Sequence, residues 1–234
     1  MDQNGDGEKQ MTVNLCEIRT HWINVLKDTE KASQMNELLD KIKIVNHKRF
    51  DAVTEDTEFG WTKEKSPEWF VTHMCGLSHR KRLEETSLSD GEPVLILEDD
   101  VEVEPMAWGP EVPIPEDADA IYFGTSHSDM QDKAEDYGKG LNKITGVYGT
   151  HAILHISKKY AAEMCNLITE CGKHDRPFDV ALAKVLQGKH NVYAPYIPFF
   201  YQADSKNSVN KYESITRPPL KQQPRISLGT GIKL

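Results

Sequence analysis

Val94-Leu95-Ile96-Leu97-Glu98-Asp99-Asp100 is four apolar residues followed at once by three carboxylates. An unbroken apolar run, entered through the turn pair Asp90-Gly91, is the pattern of a strand covered on both faces. In open α/β sheets the carboxyl ends of such strands face the crevice where ligands bind, so Glu98, Asp99 and Asp100 fall where chemistry normally occurs. Adjacent carboxylates repel one another, and beside a buried strand they require a cation or hydrogen-bond donors. A hard divalent ion with oxygen ligands answers that need. It would bridge the phosphates of a nucleoside diphosphate and stabilise the charge developing on it as a leaving group. The plainer reading is that Glu98 and Asp100 cap a turn and are solvated.

Working outward, Met11 to Leu15 reads as a short first strand, and Trp22, Val25, Leu26, Met35, Leu38, Leu39 and Ile42 recur at largely helical spacing. Ser66-Pro67-Glu68 is a helix-start signal, and Trp69, Phe70, His73, Met74 and Leu77 follow on one face of a helix predicted to reach about Leu88. Beyond the acids, four prolines from Pro105 to Pro115 mark an irregular connection, and Ala120 to Gly124 resumes as a strand. The glycine-bearing stretch Ser126 to Gly149 predicts a loop or ragged hairpin. Ala152 to Ile156 reads as a strand, and Ser157 caps a helix that stops near Gly172. Asp175-Arg176-Pro177 opens another helix, closed by Gly188, and Val192 to Tyr201 reads as an edge-like strand because Pro195 and Pro198 cannot donate to a ladder. Alternating strands and helices without a repeat predict one α/β domain with a mainly parallel sheet.

A chain of 234 residues suits one domain, placed here at 11–215 between a flexible leader (1–10) and a basic Pro/Gly-containing tail (216–234). The leader imitates the first half of a calcium loop, but Val13 stands where the bidentate Glu would be. The tail carries Arg217, Lys221, Arg225 and Lys233 and no acid, whereas the whole chain has a formal charge of −9, which argues against a general nucleic-acid-binding surface. Cys16, Cys75, Cys165 and Cys171 include no C-x-x-C pair and read as reduced thiols. No run approaches the roughly 20 apolar residues of a membrane span, and Met1 to Glu8 lacks a secretory pattern, so a cytoplasmic location is expected. The absence of G-x-x-x-x-G-K-[ST] and of H-E-x-x-H removes the P-loop NTPase and zincin readings of the acidic strand end.

Several ordered blocks resemble glycosyltransferase family 25, the group of lipopolysaccharide-biosynthesis and collagen galactosyltransferases. They are Val13-Asn14-Leu15, Phe50-Asp51-Ala52-Val53, Cys75-Gly76-Leu77-Ser78-His79, Val94 to Val101, Gly149 to Leu154 with Ser157, Phe178-Asp179, and Gln202. The pairing of Leu77-Ser78-His79 with Leu97-Glu98-Asp99-Asp100 about twenty residues later is the specific part. The resemblance implies a GT-A type, Rossmann-like fold, a nucleotide-sugar donor (usually a UDP-hexose carrying galactose or glucose), Mn²⁺ or Mg²⁺, and inversion at the anomeric carbon. Carried onto this chain, it implies that Asp100 with Glu98 or Asp99 holds the metal and that Asn14, Leu15, Ser78, His79, Asp99 and Gln202 contact the donor. It further implies Asp179 as a catalytic base or acceptor-side residue, with Asp175 behind it. The chain departs from the family at Asn14-Leu15-Cys16-Glu17, where members carry N-L-D-R, and at His21, where they carry a second arginine. Arg19 is the substitute expected to contact the donor.

Each residue also has a plainer role. Asp179 would complement a helix dipole, Asp175 would be that helix's N-cap, His79 would be a satisfied histidine and Gln202 a strand-end amide. Two function classes follow: an enzyme moving a hexose to an acceptor hydroxyl, or a non-catalytic module of the same fold that binds a sugar or a partner. The acceptor is a glycan, a protein or another hydroxyl-bearing molecule, a modified nucleic acid included.

Overall fold

In a computed structural model of the chain, residues 10–64, 69–103, 108–125, 134–174 and 176–202 are described. The leader apart from residue 10, the basic tail, the predicted helix start at Ser66-Pro67-Glu68, and Asp175 lie outside them.

The elements are, in order, β1 (Gln10–Asn14), β2 (Thr20–Asn24), α1 (Thr29–Lys41), β3 (His47–Asp51), α2 (Phe70–Glu85), α3 (Ser87–Asp90), β4 (Val94–Glu98) and β5 (Val101–Val103). They continue with β6 (Glu111–Pro115), β7 (Ala120–Tyr122), β8 (Ala134–Gly138), β9 (Leu141–Ile144), β10 (Ala152–His155), α4 (Lys158–His174), α5 (Phe178–Ala181), β11 (Val192–Pro195) and β12 (Phe200–Gln202). Eight strands form one sheet in the order β3-β2-β4-β10-β7-β11-β9-β8. Two-stranded pairings β1-β6 and β12-β5 flank it.

The sheet is mixed, where the sequence predicts a mainly parallel one. Only β2 with β3, β2 with β4, and β7 with β11 run parallel; β10 lies antiparallel to both β4 and β7. A parallel neighbour needs a long crossover, usually helical. Among the described residues no helix lies between Glu98 and Ala152, so the chain returns beside β4 running the other way. The Ser126–Gly149 stretch contains the β8–β9 hairpin, whose turn places Gly138, Lys139 and Gly140 at positive φ.

Two further expectations are corrected. Trp22 belongs to β2 and not to the first helix: all five residues from Thr20 to Asn24 are buried, and α1 starts only after Asp28, whose Oδ1 accepts from the Lys31 backbone N–H at 3.2 Å. Val25 and Leu26 lie in the intervening turn. Likewise β11 is no edge strand. It is buried throughout between β7 and β9, and Pro195 is tolerated because it is the strand's last residue.

The alternation of β4 explains why its sequence is apolar without a break. Val94 and Ile96 join the core under α2, α4 and α5 with Met74, Leu77, Ile168 and Phe178, whereas Leu95 and Leu97 join the core under α1 with Trp22, Met35 and Leu39. Complete burial of such side chains stabilises by roughly 1.5–3 kcal/mol each. Close contacts then lock the helices. A Cβ at Gly76 would stand 3.0 Å from Phe178 Cδ1, so α2 and α5 meet without room for a methyl. Trp61 stacks on His73 at 4.2 Å and donates to the Gly172 carbonyl at 2.7 Å, which fixes the segment after β3 against α2 and α4. No helix among the described residues is long and apolar enough to cross a membrane.

Candidate active site

A cleft of about 390 Å³ opens at the carboxyl ends of β2 and β4, with Ala52 and Val53 after β3, the first half of α2, Gly149-Thr150, α5 and Gln202 completing its walls. Its volume lies within the range of small-ligand sites. The three carboxylates ending β4 all line it, and each has different partners.

Glu98 is held from behind. One oxygen, Oε1, accepts from Thr150 Oγ1 at 2.6 Å, lies 3.1 Å from His79 Nε2 and takes the Cys75 thiol at 3.5 Å. Burial works against its charge, but the hydrogen bond and charge of His79 and the Thr150 hydroxyl together hold its carboxyl down at about 2. Cys75, His79 and Glu98 are the one group of potential metal-ligating side chains, among the described residues, whose atoms lie within 4.8 Å of one another. Their mutual hydrogen bonds account for that cluster. His79 is therefore buried beneath Glu98 and is not on the cleft wall where the sequence puts it. His79→Leu is expected to destabilise the protein by about 1.5–3 kcal/mol in urea unfolding at neutral pH, since a charged group loses a hydrogen bond. Glu98 is depressed below its ordinary 4.5, so the stability it confers is present above that pH and lost as pH falls toward 2; the deficit should shrink over the same window.

Asp99 faces the other way. Oδ2 accepts from Asn24 Nδ2 at 2.6 Å, and Oδ1 accepts from Lys31 Nζ at 2.8 Å, so each oxygen has a partner. Burial opposes the Lys31 charge, but its hydrogen bond to Asp99 and the neighbouring carboxylates hold its pKa above the usual lysine value.

Asp100 is different again. Its Oδ2 accepts a long 3.4 Å hydrogen bond from Gln202 Nε2, while Oδ1 is buried with no partner. Burial first, then the charge of Glu98, raises its carboxyl to about 7. Across the cleft Asp179, in α5, also has a buried and unpartnered Oδ1, and burial raises its pKa. The residue capping α5 is Pro177, so the helix begins two residues later than an Asp175 cap requires.

Of the sequence-predicted residues, the cleft brings together Ser78, Glu98, Asp99, Asp100, Asp179 and Gln202. Ser78 Oγ is engaged within the protein, donating to the Met74 carbonyl and accepting from the Val53 N–H. Three others lie away from it. Asn14 ends the β1–β6 ribbon and caps its own turn through Cys16 N, and Leu15 is wholly buried in the α1-side core. Arg19 precedes β2, about 16 Å from Asn24 at the usual strand rise, and its guanidinium is bidentate to Asp90. The residues missed were Asn24, Lys31 and Thr150. Asn24-Val25 repeats the polar-apolar pair of Asn14-Leu15 ten residues later, and only sheet pairing separates the two.

No family model matches the sequence, and no curated protein matches it. Among solved structures, the chain is similar to a glycosyltransferase involved in the glycosylation of the major capsid of PBCV-1, with a TM-score of 0.43 and 13% identity over 80% of this chain and 93% of that one. A likeness of that size leaves the chemistry to be argued from the residues.

Proposed function

We propose that the chain is a metal-dependent glycosyltransferase that moves a hexose from a nucleoside-diphosphate sugar to an acceptor hydroxyl. One observation carries this: Asp100 and Asp179, from separate elements, each leave a buried carboxylate oxygen without a partner in the same cleft. Buried polar atoms are nearly always paired, so two orphaned acids facing one cavity await partners from a ligand. The resemblance to family 25 supplies the reaction class.

The residues fit a hard divalent ion. Magnesium-like ions take one or two carboxylates and fill the remaining positions with phosphate oxygens and water. Asp100 offers an oxygen without a partner, and Gln202 stands beside it, whereas each oxygen of Asp99 already holds one. When bound, the ion supplies Lewis-acid stabilisation of the departing diphosphate. Val25, Ala52 and Val53 form an apolar wall suited to the nucleoside, and Asp179 receives the proton of the attacking hydroxyl. Its burial moves its pKa toward neutrality, which suits a general base.

The test is turnover of a panel of nucleotide sugars by the full chain, followed by mass spectrometry with manganese and with chelator. We expect one UDP-hexose to be consumed in the presence of metal only. No turnover and no metal-dependent binding of any donor in the panel would sink the reading.

A further inference from the structure

Lys31 is a cation where local rules disfavour one. It is the third residue of α1, and the first turn of a helix favours carboxylates because its free N–H groups carry positive partial charge. The side chain nevertheless reaches into the cleft to Asp99, with only 24% and 15% of the two side chains exposed. A partly buried ion pair is an expensive way to tie a helix to a strand, and apolar residues of similar volume commonly do it as well or better. Here the tie is elaborated: Asn24 donates to the second oxygen of Asp99, which orients the carboxylate that fixes the position of the ammonium group.

The surroundings indicate what the ammonium is for. Among the described residues lining the cleft, Lys31 is the sole cation, against Asp28, Glu98, Asp99, Asp100 and Asp179. An ammonium has three N–H donors, and Asp99 takes one. Lys31 and Asp100, which offers an unpartnered oxygen, line the same cleft closely enough for their charges to act on one another. A ligand meeting both must present negative oxygens to the ammonium and to any cation on Asp100. A diphosphate does so.

We infer that Lys31, positioned by Asp99 and Asn24, binds a phosphate oxygen of the donor diphosphate and gives the cleft a point of attachment separate from the metal. This rests on reading the cleft as a donor site. Asp99 on this account is a positioning residue, not a metal ligand.

Titration calorimetry of the full chain with UDP, uridine and inorganic pyrophosphate, each with manganese and with chelator, tests it. Lys31→Met should weaken UDP and pyrophosphate by about 10-fold to 100-fold, as expected for loss of a charge-assisted hydrogen bond, and leave uridine unchanged. The difference between the two proteins should persist in chelator. Lys31→Gln, which can still hydrogen-bond Asp99, replaces the methionine variant should that one fail to fold. If neither variant changes pyrophosphate or UDP affinity, Lys31 is only a tie between α1 and β4, and the inference falls while the donor reading stands. If the wild type binds pyrophosphate through Lys31 but no UDP, the donor reading falls and the phosphate role stands. Binding of neither overturns both.

Discussion

Asp100→Asn is expected to abolish metal-stimulated transfer, with kcat falling at least about 10³-fold, and yet to raise the melting temperature of the metal-free protein. The rate loss follows from removing the one carboxylate at the end of β4 with a buried oxygen left to give. Metal stabilisation of a leaving group amounts to several kcal/mol, and each 1.36 kcal/mol is tenfold in rate. The stability gain has a separate cause. Burial and the Glu98 charge raise the Asp100 carboxyl from the ordinary 3.8 to about 7, so between those values the folded protein holds a proton that the unfolded chain releases. Stability therefore falls as pH rises through that window, and the full penalty is present above it. Asparagine carries no charge and escapes the penalty. Melting curves in chelator should show the variant ahead at pH 8, with the margin closing toward pH 4, and manganese should restore the wild type's advantage. Full activity in the variant, or wild-type activity indifferent to chelator, would end the metal-dependent reading.

Asp179→Asn is expected to lower kcat by about 10²–10⁴-fold, the usual contribution of a positioned base, with UDP affinity changed by no more than about threefold. Its place is set by packing. Phe178 is buried against Gly76 and Ile168, which fixes the first turn of α5 and turns Asp179 toward the cleft. A carboxylate there also complements the helix dipole, so asparagine should cost little stability. Because burial raises its pKa and the base must be ionised to work, the wild-type rate should climb with pH through that raised value, and the variant should lose that limb. A fall in kcat of less than tenfold would move the base elsewhere, and Asp175, outside the described residues, would be examined next.

Much of this site is legible in the sequence because its central strand is extreme. Val94 to Leu97 is apolar at every position for the physical reason first inferred, burial by helices on both faces, and the acids fall at its carboxyl end. Gln202 and Asp179 were reachable through the resemblance. What stayed hidden depended on long-range pairing. β2 buries Thr20, His21 and Asn24 beside Trp22 and Ile23, so neither alternation nor an apolar run announces a strand, and Trp22 falls in phase with the following helix. Asn14-Leu15 looked like the donor-side pair because nothing local reveals that β1 joins β6 and not the main sheet. The contact of Lys31 with Asp99 spans 68 residues and crosses from one element to another. Local pattern does not encode it.

The charges lining the cleft also bear on rates of association. Among the described residues, five carboxylates and a single ammonium line the cleft, in a chain of formal charge −9, so a free nucleoside diphosphate would approach against the field. On the proposed reading, a divalent cation would be drawn in by the same field and would locally reverse its sign at Asp100. Metal-complexed nucleotide should therefore associate faster than bare nucleotide, which would still bind through Lys31. Bare nucleotide would associate slowly and faster as salt is added, the opposite of the salt response of a basic site.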